Sequence, residues 1–391
     1  MLISFLIAIG LLLLLLWLSR DSFFKYMATR HFANLEKEAL AEEFRGVETS
    51  GGKVENLYQI GQTGVSTEPI KVKAEEFLSS FTSEQLTNIT FDIQDEEWRK
   101  WCNVDNGIYI RQGISLKEMT EDQKEKAFGL MEAALSAKGL QLSKDIMKTD
   151  HTLKEIKNGS KDFDEELYFF TVMGTPSSTE PWGWQIDGHH LVINYFILGD
   201  QVVMSPVFMG AEPVIATTGK YRGNVLFQEE QNAGLDFMRS LTAKQQGYAL
   251  LNSIKGGRNI KAEANSDNVT LDFDGIRLST LDSMKQEELL RLVDQYVSNM
   301  KEGHQEIKME EVRKHIDDTY FAWVGGTGEE SVFYYRIHSP VLLIEFDHQS
   351  PVGVPSKDSG PSRNHIHTIL RTPNGNDYGK DLLRQHLATA H

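Results

Sequence analysis

The sequence predicts an α+β protein, with a helical N-terminal section followed by a largely antiparallel sheet with interleaved helices. Three observations predict it. A capped amphipathic helix stands early, from Thr120 towards Gly139. Strand-like runs with hairpin spacing begin only near Leu167, and helical periodicity returns between the later strands.

Leu2 to Leu18 is one apolar run, unbroken from Leu11 to Leu16 and followed through Trp17. At about 1.5 Å per residue it just spans a bilayer core of roughly 30 Å. The alternative is a secretory signal. No basic side chain precedes the run and Ser19-Arg20-Asp21 is a poor cleavage site, so an uncleaved anchor in the lipid bilayer, residues 1–18, is the reading taken. Arg20, Lys25 and Arg30 would keep the following flank cytoplasmic. The single cysteine and the triplets at Asn88, Asn158 and Asn268 instead favour an extracytoplasmic domain. Residues 19–70 read as a polar stalk and linker, rich in Gly, Ser and Thr at Thr49–Lys53 and Gly61–Thr67. Residues 71–391 then form a single globular domain, in which we find no internal repeat.

In that domain Thr120-Glu121-Asp122-Gln123 is a capping box. Ala127, Leu130, Met131, Ala134 and Leu135 form the apolar stripe of a helix that stops at Gly139. Leu167 to Val172 is the first strand. His189 to Leu198 and Gln201 to Met209 flank Gly199-Asp200 as a hairpin. Gly234–Leu241, Thr242–Ser253 and Leu281–Met300 read as helices. The end returns to strands at Val332–His338, Val341–Asp347 and His365–Arg371, with a short terminal helix around Leu382–His386.

Forty basic residues against 56 acidic ones give a formal charge of −16, and the basic residues form no cluster, which argues against a nucleic-acid partner. One cysteine, Cys102, excludes an intramolecular disulfide, a cysteine-rich zinc site and an iron–sulfur cluster; beside Trp98 and Trp101 it reads as a packed core residue. No Gly-rich phosphate loop, G-x-S-x-G elbow or H-E-x-x-H helix is present.

Histidine carries the chemistry. Six of twelve lie in the last 54 residues. On a strand, His365 and His367 share one face about 7 Å apart, a spacing that brings two imidazoles to one ion. His189 and His190 are a second pair. As strand neighbours they point to opposite faces, so at most one joins a shared site, and Asp187 is placed to orient His189. Glu345 sits in a strand apolar on both faces, where a carboxylate must be paired, protonated or metal-bound. Arg336, on the preceding strand, is its structural partner in one reading. In the other, Glu345 is a ligand or general base and both are catalytic candidates. The Pro- and Gly-rich stretch from His348 to Asn364 reads as a lid or a disordered excursion. Trp182 and Trp184 either floor a cleft or pack in the core.

Several segments occur in a fixed order: Trp182-Gly183-Trp184 with Gly188-His189-His190, Pro206 to Pro213, Phe321 to Gly325, Tyr334 to Ile337, Pro340 to Asp347, His365-Ile366-His367, and Asn376 to Gly379 with Asp381 to His386. In them the sequence resembles the uncharacterised family catalogued as domain of unknown function 3500, over roughly Lys71 to His391. That resemblance implies domain limits and frequent export signals, but no activity, substrate or cofactor. The stretch from His348 to Asn364 is expanded relative to the family pattern.

Together these readings lead to a membrane-anchored or exported metal-dependent enzyme. Its ligands would be His365 and His367, with His189 or His190 as a third and Glu345 as a fourth ligand or base. Zinc is favoured, with copper or iron open, and hydrolysis of a small or surface-derived substrate is the favoured reaction. A non-catalytic ligand-binding or metal-sequestering surface protein is the rival. No assembly is predicted.

Overall fold

The computed structural model describes residues 23–389. The apolar run 2–18 and His391 lie outside the described residues, among which no helix is long and apolar enough to cross a membrane. Helix α1 covers residues 23–41. The stretch after it, expected to be a linker, instead packs along the domain. Val47 and Tyr58 are buried, the Val54 amide donates to Asn374 and the Tyr58 hydroxyl to the Pro373 carbonyl.

Ten elements then follow: α2 (Glu68–Ser79), α3 (Ser83–Ile89), β1 (Thr90–Phe91), β2 (Ile114–Ser115), α4 (Glu121–Ala134), α5 (Ala137–Ile156), β3 (Tyr168–Met173), β4 (Trp182–Gly188), β5 (Leu191–Leu198) and β6 (Gln201–Ala211). The second half repeats that order: α6 (Gln228–Ser240), α7 (Ala243–Ala249), β7 (Leu250–Asn252), β8 (Ile276–Arg277), α8 (Ser283–Val297), α9 (His304–Lys314), β9 (Tyr320–Gly325), β10 (Phe333–Ser339), β11 (Leu342–His348) and β12 (Ile366–Arg371). Helix α10 (Lys380–Thr389) closes the described chain.

All strands join one sheet in the order β1-β3-β4-β5-β6-β12-β11-β10-β9-β7, with β2 on β3 and β8 on β9. This order reads the same from either edge, with β6 and β12 paired at the centre. Pairing is antiparallel except for β1 with β3 and β7 with β9, which are again equivalent positions. The internal repeat absent from the sequence reading is therefore present in the topology, as a pseudo-two-fold relation. Packing repeats too: Trp184 stacks on Tyr195 across β4–β5 as Tyr335 stacks on Phe346 across β10–β11.

The central strands are buried on both faces. One face meets the helices through Trp184, Tyr195, Leu289 and Val293; the other meets Trp98, Trp101, Val47 and Tyr378 from irregular segments. Trp182 and Trp184 are thus core residues, as is Cys102, whose thiol burial pushes up to about 12. The predicted α+β class holds, as does the hairpin across Gly199-Asp200, where Leu198 pairs with Gln201. Thr120 caps α4 reciprocally with Gln123 as read. Gly139 does not end that helix. It lies inside α5, where a side chain would collide with the Asn299 carbonyl.

Candidate metal centre

Strands β4 and β5 are joined by a two-residue turn, His189-His190, closed by the Gly188–Leu191 pair. The alternation expected of strand neighbours therefore does not apply. His190 adopts a left-handed backbone (φ 63°), and the two imidazoles stack with centroids 3.9 Å apart. That conformation costs a β-carbon residue on the order of 1 kcal/mol or more. The Gly210 amide holds it by donating to the His190 carbonyl at 2.8 Å. Gly210 also lies opposite His367 across β6–β12. A Cβ there would sit 2.8 Å from the Ile366 carbonyl, 3.1 Å from the His190 ring and 3.2 Å from the His367 ring. Glycine at this position leaves room for both imidazoles.

His190, His365 and His367 bring their ring nitrogens within 4.8 Å of one another. The Nε2 atoms of His365 and His367 are 3.0 Å apart, and those of His367 and His190 are 3.2 Å apart. The far sides of two rings are anchored: His365 Nδ1 donates to the Ser350 carbonyl at 2.7 Å, and His367 Nδ1 to Glu263 at 2.5 Å. A carbonyl only accepts, and the Glu263 carboxyl is held below the usual range. Burial opposes its ionisation, but His367 and Arg258 outweigh that. Both Nδ1 atoms thus carry a proton, and the two rings turn their Nε2 atoms towards each other. A proton shared between them or a metal ion held between them makes such an approach favourable. Tetrahedral zinc with about 2.05 Å bonds to nitrogen separates its ligand atoms by roughly 3.3 Å.

Burial and the neighbouring histidines hold His190 and His365 well below the ordinary histidine range, so both are neutral, the form that binds metal. Glu263 is itself buried and its other oxygen pairs with Arg258, an exposed side chain. The stretch expected to be a lid or a disordered excursion is anchored at its start. Glu212 accepts from the amides of Val352 (2.9 Å), Gly353 (2.7 Å) and Val354 (2.9 Å), fixing the segment whose Ser350 carbonyl orients His365.

Not every candidate joins this group. Glu345 lies on the strand beside β12, but its carboxylate accepts from the Lys261 amide (3.0 Å), the Ala262 amide (2.8 Å) and the Tyr334 hydroxyl (2.6 Å). Its lone pairs are spent there and it is outside the histidine group. Nor does it form the expected ion pair. Arg336 faces it across β10–β11 but binds Asp274 (2.5 Å) and the Asp272 carbonyl (3.1 Å). That places Arg336 away from the histidines as well. His189 stacks against the group without entering it, and Asp150 rather than Asp187 orients it, at 2.5 Å from Nδ1. Asp187 pairs with Arg111 instead. Sequence reasoning missed Glu263, Asp150, Glu212 and Ser350. Asp150 had a signal: with Ile146, Met147 and Leu153 it shares the apolar face of α5.

The fold and site define an α+β protein with an internally duplicated antiparallel sheet and a buried three-histidine group able to hold a metal ion. The chain belongs to the family described as protein of unknown function (DUF3500), whose model matches residues 63–380. No curated protein and no solved structure matches it significantly.

Proposed function

We propose that the protein binds one divalent transition-metal ion, zinc by preference, through Nε2 of His190, His365 and His367, and uses it in hydrolysis of a small or surface-derived substrate. The observation that carries this reading is the convergence of three imidazoles, two of which have their far sides fixed, by a carboxylate and a carbonyl. A histidine-only donor set suits zinc, and also copper and iron. Among the described residues no fourth His, Cys, Asp or Glu completes the group, which favours catalysis over sequestration because three protein ligands leave a position for water or substrate. A bound zinc ion would supply an activated water near neutral pH. The chain's part is to hold that site. Glu263 and Ser350 keep the protons of His367 and His365 on Nδ1, Glu212 secures the covering segment, and Asp150 fixes His189 against His190.

The test is the metal content of the untagged full chain, by mass spectrometry, beside His367→Ala and His190→Ala. Near-stoichiometric metal lost in both folded variants is the expected result. No metal after exposure to zinc, copper, manganese or iron would overturn the reading. Metal without hydrolysis of ester, amide or glycosidic probes would leave the binding and remove the hydrolase.

A further inference from the structure

The start of α1 is placed beside the histidine site. Lys25 in its first turns bridges Asp162 at 2.7 Å, and a side chain on Gly107 would collide with both, so the segments around 25, 107 and 162 touch. Phe163, next in the chain, packs edge-on against His189 with centroids 5.3 Å apart, and His189 stacks on His190. Further along, α1 is fastened to the same side of the domain. Tyr109 donates to Glu36, and Arg99 donates to the Ala39 carbonyl at 2.7 Å. The N-terminal end of α1 is therefore tied, through Asp162 and Phe163, to the His189 side of the site.

Beside the exposed Lys25, that end is apolar. Phe23, Phe24, Tyr26 and Met27 are 60%, 57%, 55% and 48% exposed, and Ile110, on the loop that Tyr109 fastens to α1, is 79% exposed. Upstream in sequence lies the apolar run ending at Leu18. Phe23 follows the last residue of that run by five positions in sequence. Aromatic side chains beside Lys25 and Arg30 have the composition of a membrane–water interface.

We infer that residues 23–27 and the loop around Ile110 lie on a lipid bilayer surface, so that the His189 side of the histidine site faces the membrane. The substrate class that follows is an amphiphile carried at that surface, a conclusion that rests on the proposed metal reading; the orientation itself does not.

The full chain reconstituted in phosphatidylcholine vesicles tests the orientation. A polarity-sensitive fluorophore would be attached through Phe24→Cys, Ile110→Cys or Ser178→Cys. Buried Cys102 stays unlabelled, and Ser178 is exposed beyond the opposite end of β4 from His189, about 20 Å along the strand. In vesicles of brominated phosphatidylcholine the probes at 24 and 110 should lose about half their emission or more, while that at 178 changes little. If the probe at 110 behaves like that at 178, or neither 24 nor 110 is quenched, the inference is overturned. Metal content measured on the same vesicles separates the two readings. Metal without quenching at 110 sinks the orientation and spares the site; quenching without metal supports the orientation and sinks the site and the substrate class.

Discussion

The sharpest discrimination lies between two buried glutamates, Glu263 and Glu345. Glu263 touches a candidate ligand directly, accepting from His367 Nδ1 at 2.5 Å. The variant Glu263→Gln keeps the shape and an acceptor oxygen but removes the charge, and it turns an amide donor towards Arg258. Loss of a partner that orients a metal-bound histidine weakens metal binding about 10–100-fold, or roughly 1.4–2.8 kcal/mol. Glu345→Gln acts at one remove. Its carboxylate secures the amides of Lys261 and Ala262, immediately before Glu263. The new amide would set a donor against one of those donors and cost the fold roughly 1–3 kcal/mol.

Competition against a chromophoric zinc chelator, paired with urea melts of the metal-free protein, reads both effects. The expectation is at least about a tenfold weaker affinity for Glu263→Gln, and no more than about threefold for Glu345→Gln, which shows the larger loss of metal-free stability. Equal affinity in Glu263→Gln and the wild type would refute the assignment of Glu263. A larger affinity loss in Glu345→Gln would restore it as a ligand.

Three further outcomes follow from the same geometry. Gly210→Ala forces a methyl towards the Ile366 carbonyl and two histidine rings, so it should cost about 1–3 kcal/mol in a urea melt and lower zinc affinity in the chelator assay. Glu212→Ala strips the acceptor from three amides, and hydrogen exchange at 352–354 should rise by at least about tenfold while exchange in β5 stays unchanged. Glu97 is raised to about 8, chiefly by burial and partly offset by Lys100. A carboxyl raised on folding stabilises at acid pH, and this contribution is lost as pH climbs from its unfolded value through about 8. Glu97→Gln should therefore melt above the wild type at about pH 9 and near it at about pH 4, and a constant difference would count against the shift.

The parts of the site written as local patterns were legible in the sequence. H-x-H named the two histidines of the second half, although only His367 lies within β12 and His365 stands immediately before it, and Gly188-His189-His190 flagged the third. The role of Glu345 was not legible, because a buried carboxylate in a strand names its need for partners without naming them. The partners are backbone amides at 261 and 262, more than eighty residues away in a segment without periodicity. Glu263 and Ser350 come from irregular segments too, where no spacing rule ties a side chain to a site. The expected opposite facing of His189 and His190 failed for a local reason. They occupy the turn rather than the strand, and β-sheet alternation ends where the ladder ends.

The duplication shows why such a site occurs once among the described residues of a repeated fold. The turn equivalent to His189-His190 is Pro340-Val341, between Ser339 and Leu342. The cross-strand pair equivalent to Arg336 and Glu345 is Gln185 and Asn194, which bond to each other at 2.7 Å. Traces of the repeat survive in sequence where local geometry demands them. Among them are Gly113-Ile114 and Gly275-Ile276, each glycine with positive φ against a strand carbonyl, the positive-φ glycines Gly174 and Gly325, and the capping boxes opened by Thr82 and Thr242. The turns and these cross-strand pairs have diverged. In one half the turn carries imidazoles and the paired strands carry neutral amides. In the other the turn is apolar and the strands carry charges that grip irregular segments, one of which delivers Glu263 back to the histidines. The second half thus supplies two of the histidines and their anchoring groups, the first half supplies the third histidine at its turn, and the β6–β12 pairing joins the two halves between them. Loosening that central pairing should therefore weaken the site before it unfolds either half.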